Sequence, residues 1–186
     1  DYQIEYMALD RNIGATRADR GTEEHDWLEA FGFAYQWGGK DPLYDGCLRL
    51  YNTSVNMEYT ISHPTEFIEY GDWMSPLIPN AWSPESKSIY DPCPQGYRVP
   101  PSELWRSMTA VSGTPDKGYD YKTDGTNSSY YPYTMSGSWS LSVSSNYGYY
   151  WASDRSNMLE VPYNNSAPYI HYSRNISYGQ VVRCIK

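Results

Sequence analysis

The sequence predicts one irregular α+β or mainly β domain with few long helices and many loops. Its 186 residues suit a single domain that buries a sizeable core. The 14 Gly and 13 Pro residues interrupt short apolar runs, a pattern that favours short elements and turns. Aromatic residues make up 17% of the chain, so we expect a core of rings whose polar groups find hydrogen-bond partners.

The first half of the chain is predicted to contain few regular elements. An opening strand ends near Leu9. Thr22 is then expected to cap a short helix over residues 23–31, because acidic residues in a first turn suit the helix dipole. A loop-rich section follows to about Ser88, since its prolines exclude long regular structure, and a strand at 57–61 interrupts it.

The second half is predicted to be richer in strands. A helix over 100–111 has Ser102 as its expected N-cap. A loop rich in Gly, Asp, Tyr and Ser then covers 115–133. After it, apolar runs separated by polar turns predict five short strands, at 138–143, 149–153, 158–163, 169–172 and 180–185.

Charge and hydropathy exclude two classes of partner. The net charge of −8 argues against nucleic acid and against an anionic membrane surface, both of which are bound by clusters of Lys and Arg. No apolar run approaches the ~20 residues of a membrane span, so we expect no direct membrane insertion. The sequence opens in a strand without a signal peptide, which favours a mature fragment or an excised domain.

The three cysteines, Cys47, Cys93 and Cys184, allow two interpretations. One disulfide plus a third thiol indicates an oxidising compartment, whereas three reduced, buried thiols suit a cytosolic protein. Their spacing does not decide between the two. No zinc ligand set is recognisable, because the cysteines are far apart and the histidines do not flank them.

Residues 136–180 have the composition of a binding surface. They include 11 Ser, 7 Tyr and 5 Asn, against one Glu, one Asp, two Arg and no Lys. Tyr supplies a large amphipathic contact at low entropic cost, while Ser and Asn supply adaptable hydrogen bonds, as in antibody loops. Apolar residues at strand-like spacing argue against a polar tail. The alternative is a polar outer sheet whose tyrosines pack in the core.

Six segments carry a resemblance that covers nearly the whole chain. In order they are Asp10-Arg11-Asn12-Ile13-Gly14-Ala15, Tyr35-Gln36-Trp37-Gly38, Lys40-Asp41-Pro42, Asp91-Pro92-Cys93-Pro94-Gln95-Gly96-Tyr97-Arg98-Val99-Pro100, Tyr149-Tyr150-Trp151-Ala152-Ser153 and Gly179-Gln180-Val181-Val182-Arg183-Cys184. Together they resemble the major paralogous domain family of Bacteroidetes surface lipoproteins and fimbrial tip proteins. That family has a C-type-lectin-like fold related to the formylglycine-generating enzymes.

The resemblance implies two helices around a twisted mixed sheet with long loops, and chain ends close together on neighbouring strands. It also implies a disulfide between Cys93 and Cys184, which leaves Cys47 outside the bridge. Such a bridge closes a loop of ~90 residues and stabilises by up to ~4 kcal/mol in the chain-entropy model.

The composition of 136–180 is also similar to that of the variable protein of a diversity-generating retroelement. In such proteins, adenine-directed mutation diversifies an exposed ligand-binding face on a C-type-lectin-like scaffold. The resemblance implies Trp151, Gly179 and Arg183 as framework, and we place Tyr149 and Tyr150 in the core. The candidate contact residues are Ser144, Asn146, Tyr147, Asp154, Asn157, Tyr163, Asn164, Asn165, Tyr169, His171, Tyr172 and Asn175.

We expect neither a metal site nor catalysis. Asp116, Asp120, Asp124 and Asn127 present oxygens suited to a hard cation, but carboxylates at loop tips are commonly just solvated. The acidic residues around His25 are explained as helix-capping charges. The chain contains no Gly-x-Ser-x-Gly elbow, phosphate loop or His-Glu-x-x-His motif.

These observations predict an extracellular or cell-surface binding module without a cofactor, of adhesin type, whose partner is a protein or glycan on another cell. Contact with other pilus subunits through a preceding segment is a further expectation. Two rivals remain open. One is a phage tail-fibre receptor-binding protein of the same fold, for which free thiols would be expected. The other is an enzyme on the related sulfatase-modifying fold, which a metal or an open pocket near Cys47 would favour.

Overall fold

A computed structural model of the chain describes residues 7–43, 47–51, 53–69, 72–111, 117–122, 128–134, 147–162 and 167–186. These residues form a mixed α+β fold with three β-sheets, two short α-helices and one 3₁₀ helix. None of the helices among them has the length and apolar character required to cross a bilayer.

The elements are short, as the frequent Gly and Pro residues predict. The helices are a 3₁₀ helix at Asp26–Ala30, α1 at Met57–Ser62 and α2 at Ser102–Arg106. The strands are β1 (Ala34–Tyr35), β2 (Leu48–Tyr51), β3 (Glu66–Glu69), β4 (Thr109–Ala110), β5 (Gly118–Lys122), β6 (Ser128–Pro132), β7 (Tyr147–Trp151), β8 (Met158–Pro162), β9 (Tyr169–His171) and β10 (Gln180–Val181).

The largest sheet is mixed and has the strand order β1-β10-β7-β8-β9. Strand β10 runs parallel to β7 and antiparallel to β1, while β8 pairs antiparallel with β7 and β9. The two ends of the described chain meet beside this sheet, because Leu9 N donates to Cys184 O at 2.8 Å and Lys186 N donates to Met7 O at 2.9 Å.

A disulfide joins Cys93 and Cys184, the pairing that the family resemblance implies. It connects the segment before α2 to the segment after β10 and closes a loop with a sequence separation of 91 residues. Cys47 lies outside this bridge and packs against a small apolar cluster of Ala34, Leu43 and Phe67.

Besides the small cluster near Cys47, the core consists of two larger aromatic clusters that pack against opposite faces of the largest sheet. On β7, Trp151 belongs to one cluster and Tyr150 to the other, as the alternation of side chains along a strand requires. Four indole N–H groups donate to backbone carbonyls, those of Trp37, Trp73, Trp82 and Trp151. The expected hydrogen bonding of rings therefore holds for these four, but not for Trp105 Nε1 or Tyr121 Oη.

Arg183 is fully buried and connects three parts of the chain. Its Nε donates to Asn12 Oδ1 at 2.7 Å, and its Nη2 donates to the Tyr130 carbonyl at 2.7 Å. Its Nη1 donates to the carbonyls of Leu9 and Asp10 at 3.3 and 3.1 Å. A buried guanidinium is stable only when its donors are satisfied, as they are here by neutral acceptors.

The strand predicted at 57–61 is wrong, because these residues form helix α1. Asn56 provides the signal for the helix, since its side-chain oxygen accepts a hydrogen bond from Tyr59 N at 2.8 Å. Met57 is buried and anchors the first turn against the main core. The alternation of apolar and polar residues resembles a strand, but the Asn56 cap and the burial of Met57 in the first turn favour a helix.

The loop predicted over 115–133 is also wrong, because its described residues form the β5–β6 hairpin. The antiparallel register pairs Gly118 with Pro132 at one end of the hairpin and Lys122 with Ser128 at the other. The hairpin is built on tyrosines, and Tyr121 and Tyr131 pack edge to face at 5.6 Å. Aromatic cross-strand packing replaces the aliphatic alternation that a strand prediction normally uses.

Both predicted helices are shorter than expected. The helix predicted over 23–31 is reduced to the 3₁₀ helix, and the Asp26 carboxylate accepts from Thr22 N and Glu23 N in place of a Thr22 cap. The helix predicted over 100–111 ends at Arg106 because Thr109–Ala110 pairs with β5 as β4. Its N-cap position is Pro101, while Ser102 N donates to Asp154 Oδ1.

The four predicted C-terminal strands that lie within the described residues are confirmed, with shifted boundaries. They correspond to β7, β8, β9 and β10. The strand predicted at 138–143 lies outside the described residues. Most of the predicted opening strand, residues 1–6, also lies outside the described residues, and its described part contains an antiparallel bridge between Ala8 and Ile185.

Candidate ligand-binding face

Part of one face of the largest sheet carries aromatic and charged side chains that are not covered by the core. Tyr147 and Tyr149 project from β7, Glu160 from the middle of β8, and Tyr169 and His171 from β9. The register aligns Tyr149, Glu160 and Tyr169 in one row across the three strands. We call these five residues the open face.

The open face exists because the core covers only one end of this side of the sheet. Trp151 and Met158 point to the same side and are buried in the main aromatic cluster. Towards the other end of β7 exposure rises, and Tyr147 is 39% exposed. On the opposite side of the same strands, Tyr150 and Leu159 are buried, so the strands have a fixed position beneath the exposed rings.

The rings of the open face are in contact with one another. Tyr147 stacks on Tyr149 with 6.1 Å between ring centroids, and Tyr149 lies 6.4 Å from the ring of His171. Tyr169 meets His171 edge to face at 4.7 Å and remains 58% exposed. These are favourable aromatic geometries, so the rings are held in place before any ligand binds.

Glu160, His171 and Arg174 form a hydrogen-bonded series within this face. His171 Nε2 lies 2.5 Å from Glu160 Oε2, and Arg174 Nη2 lies 2.7 Å from His171 Nδ1. A guanidinium only donates, so Nδ1 accepts and the neutral imidazole carries its proton on Nε2, which donates to Glu160. The imidazole is therefore fixed in one tautomer and orientation.

Tyr149 completes the surroundings of the Glu160 carboxylate. Burial raises the pKa of the Tyr149 hydroxyl well above its ordinary value, and the adjacent negative charge of Glu160, which accepts a hydrogen bond from that hydroxyl, raises this pKa further. Tyr149 therefore stays protonated at neutral pH and acts as a donor. The prediction that it lies in the core is half right, because it is half-buried at the border of the core and the open face.

Three of the predicted contact residues are engaged in turns beside the face. Asp154 accepts from Ser102 N at 2.7 Å and from Asn157 Nδ2 at 2.5 Å. Asn175 Oδ1 accepts from the backbone and the side chain of Ser177 at 3.0 and 2.9 Å. These polar side chains hold the turns after β7 and β9, so their hydrogen-bonding groups serve the fold.

Tyr172 points away from the open face. It is 55% exposed, and its hydroxyl accepts a hydrogen bond from Arg106 of α2 at 2.9 Å. The Arg106 guanidinium also lies 5.9 Å from the centroid of the Tyr172 ring. The structure therefore brings together three of the described contact candidates on the open face, namely Tyr147, Tyr169 and His171.

Of the remaining candidate residues, the structure describes Asp120, and the other eight lie outside the described residues. Asp120 lies in β5 rather than at a loop tip, and burial raises the pKa of its carboxyl, while the charge of Arg20 lowers it. No group of three potential metal-ligating side chains occurs within the described ranges. The candidates that lie outside the described residues are Ser144, Asn146, Tyr163, Asn164, Asn165, Asp116, Asp124 and Asn127.

Two clefts occur elsewhere on the described surface. One lies between the segment after β1 and helix α1, and Lys40, Asp41, His63 and Glu66 are among its lining residues. The other lies between residues 20–24 and Lys117, with Trp27 in its wall. Cys47, whose surroundings matter for the enzyme alternative, lines neither of them.

Sequence reasoning missed three residues of this region, namely Tyr149, Glu160 and Arg174. A signal was present for the first two, because residues 147 and 149 of one strand project to the same side and a central charged residue in the apolar strand β8 requires a partner. Arg174 follows β9 directly and gave no periodic signal.

No family model, curated protein or solved structure matches this chain.

The open face offers exposed ring surfaces at Tyr147 and Tyr169 and a carboxylate at Glu160, and the Arg174 guanidinium lies beside it on His171. Rigid aromatic anchors around fixed polar groups are typical of protein recognition surfaces.

Proposed function

We propose that this chain is an extracellular ligand-binding module of adhesin type, with a C-type-lectin-like fold and a binding face that includes Tyr147, Tyr169 and His171. The module acts at the cell surface, as a single domain of a larger surface or fimbrial tip protein. Its partner is a macromolecule on another cell.

The observation that carries the proposal is the exposure of two large aromatic rings on one side of the largest sheet. Tyr169 is 58% exposed on β9 and Tyr147 is 39% exposed on β7, yet both are packed against neighbouring rings. Exposing this apolar area to water contributes nothing to folding, so a binding role accounts for it better than a structural one.

The disulfide supports the proposed location. A bridge between Cys93 and Cys184 persists in oxidising compartments, whereas glutathione and thioredoxin keep cytosolic thiols reduced. A phage tail-fibre protein of the same fold would be assembled in a reducing cytoplasm. The bridge therefore favours the adhesin assignment over that alternative.

Binding to immobilised arrays of glycans and cell-surface proteins tests the proposal. Tyr169→Ala removes an exposed ring from the open face, and we expect it to abolish most of the binding of the wild-type chain. Tyr51→Ala is the matched control, because Tyr51 is also 58% exposed but lies on β2 in a different sheet. Loss of binding in both variants, or in neither, would contradict the assignment of the face.

Diversification of the face is tested at the level of the gene. A retroelement would leave a near-identical repeat close to the 3′ end that differs only at adenines. We expect substitutions among isolates to cluster at positions such as Asn146, Asn164 and Tyr169, while Trp151 and Arg183 stay constant; Asn157 and Asn175, which also belong to the predicted set, should vary less because their side chains hold turns. Scattered variation would contradict diversification and leave an ordinary lectin-like binding module.

A further inference from the structure

We propose that the open face binds a Lys or Arg side chain of a protein partner, and that Glu160 is the residue that recognises its charge. This inference rests on the proposed binding function and specifies the chemistry of its ligand.

The position of Glu160 in the sheet is the first reason. Its carboxylate projects from the central strand of the three, with Tyr149 and Tyr169 directly opposite it on the neighbouring strands. Tyr147 and His171 occupy the diagonal positions. One carboxylate thus has three tyrosine rings and the His171 imidazole as its neighbours, and its negative charge attracts a cation to this position.

The depth of the carboxylate is the second reason. The Glu160 side chain is only 15% exposed and that of His171 19%, whereas the Tyr169 residue beside them is 58% exposed. A group that reaches the carboxylate must pass the more exposed rings beside it, which suits the long apolar stem and charged end of Lys or Arg. Glu160 is also held by Tyr149 and His171, so little ordering is required on binding.

Charge complementarity is the third reason. The chain has a net charge of −8, so its long-range field attracts basic partners and repels acidic ones. Arg174 offsets only part of this charge, because its Nη2 lies 2.7 Å from His171 Nδ1 and 3.4 Å from His171 Nε2, so the imidazole stands between the guanidinium and Glu160. A neutral glycan would gain no ion-pair attraction from the charge of the Glu160 carboxylate.

Nuclear magnetic resonance titration with a minimal probe tests the inference. The probe is N-acetyl-lysine methylamide, and its Nζ-acetylated form is the uncharged control. We expect saturable shifts of the Tyr169 and His171 side-chain signals with the charged probe and none with the acetylated one. A single residue engages only part of the site, so we expect a dissociation constant on the order of 1 mM.

Glu160→Gln preserves the shape of the side chain and removes its charge. We expect this variant to bind the charged probe at least about tenfold more weakly, since both the Coulomb attraction and a charge-assisted hydrogen bond are lost. Glu85→Gln is the control for net charge, because it removes one exposed carboxylate elsewhere and should leave the affinity unchanged. Tyr169→Leu provides a second test in case the Gln substitution perturbs folding, and we expect it to weaken binding as well.

Equal shifts with the acetylated probe, no saturable shift, unchanged affinity in a folded Glu160→Gln variant, or unchanged affinity in Tyr169→Leu would overturn the inference. The proposed function would survive that result if array binding were still lost in Tyr169→Ala and retained in Tyr51→Ala. Both would fall if the two tyrosine variants behaved alike on the arrays and the lysine probe did not bind.

Discussion

The guanidinium carbon of Arg183 lies 4.3 Å from the centroid of the Tyr131 ring, in the interior of the protein. The same guanidinium donates hydrogen bonds to Asn12, to two carbonyls near the N-terminal end and to Tyr130 of the β5–β6 hairpin. One buried cation therefore holds together the hairpin and the segments next to both ends of the described chain.

Arg183→Met should be among the most destabilising single substitutions in this chain. Methionine fills part of the space but leaves Asn12 Oδ1 and the Tyr130 carbonyl without a donor. We expect a loss of about 3 kcal/mol in the free energy of unfolding, measured by urea denaturation. Arg155→Met is the control, since Arg155 forms an exposed ion pair with Asp72 and should cost less than about 1 kcal/mol. Similar losses in the two variants would contradict this account of Arg183.

Alkaline pH should destabilise the protein through its buried tyrosines. Burial raises the pKa of the hydroxyls of Tyr35, Tyr121, Tyr131, Tyr149 and Tyr150 above the ordinary value. Above pH ~10 the unfolded chain has released tyrosine protons that the folded chain retains, so the free energy of unfolding falls as the pH rises. Ultraviolet titration should show these tyrosines ionising only upon unfolding. Full ionisation in the folded state near pH 10 would contradict the prediction.

Reduction of the disulfide should lower stability substantially. The bridge between Cys93 and Cys184 spans 91 residues, and closing a loop of that size stabilises by about 4 kcal/mol in the chain-entropy model. Urea denaturation with and without a thiol reductant measures the difference. Cys47→Ala should show the same response to reductant, because Cys47 lies outside the bridge. A reductant effect below about 1 kcal/mol would mean that the loop is already constrained in the unfolded chain.

The turn that follows β7 contains a non-glycine residue whose backbone lies in the left-handed region. Ser156 has a φ of +64°, and its carbonyl accepts from Arg174 N at 2.8 Å. Ser156→Gly should raise the free energy of unfolding by about 0.5 kcal/mol, since relief of the left-handed cost exceeds the added entropy of the unfolded chain. Ser156→Val should lower it by about 1 kcal/mol or more, because a β-branched residue disfavours this region. Thermal melting of both variants measures the contrast, and a more stable Val variant would refute it.

The sequence predicted the C-terminal strands well because their apolar residues alternate in the way a sheet requires. Leu159 and Val161 face one core while Met158 faces the other, which is the period of two that identified β8. The same rule failed at the β5–β6 hairpin, whose buried residues are tyrosines separated by polar or glycine residues. Local composition there resembles a loop, and only the packing of the rings against α2 and β7 reveals the strands.

The candidate site was predicted less completely than the fold. Composition identified Tyr147, Tyr169 and His171, because Tyr and His in a segment rich in Ser and Asn have the chemistry of a contact surface. It could not separate them from Asp154 and Asn175, whose carboxylate and amide groups hold turns. That distinction depends on which backbone N–H groups lie within reach of each side chain, and it follows from tertiary structure rather than from residue type.

The place of β10 in the sheet has a consequence for biosynthesis. This strand lies between β1 and β7, although it is the last of the described strands in the sequence. The ribosome therefore synthesises more than 170 residues of this chain before it reaches β10. Among the described strands, only β10 joins β1 to the other three strands of the sheet. Folding of this domain cannot advance steadily from the N-terminus during translation, and the nascent chain must stay soluble until β10 emerges.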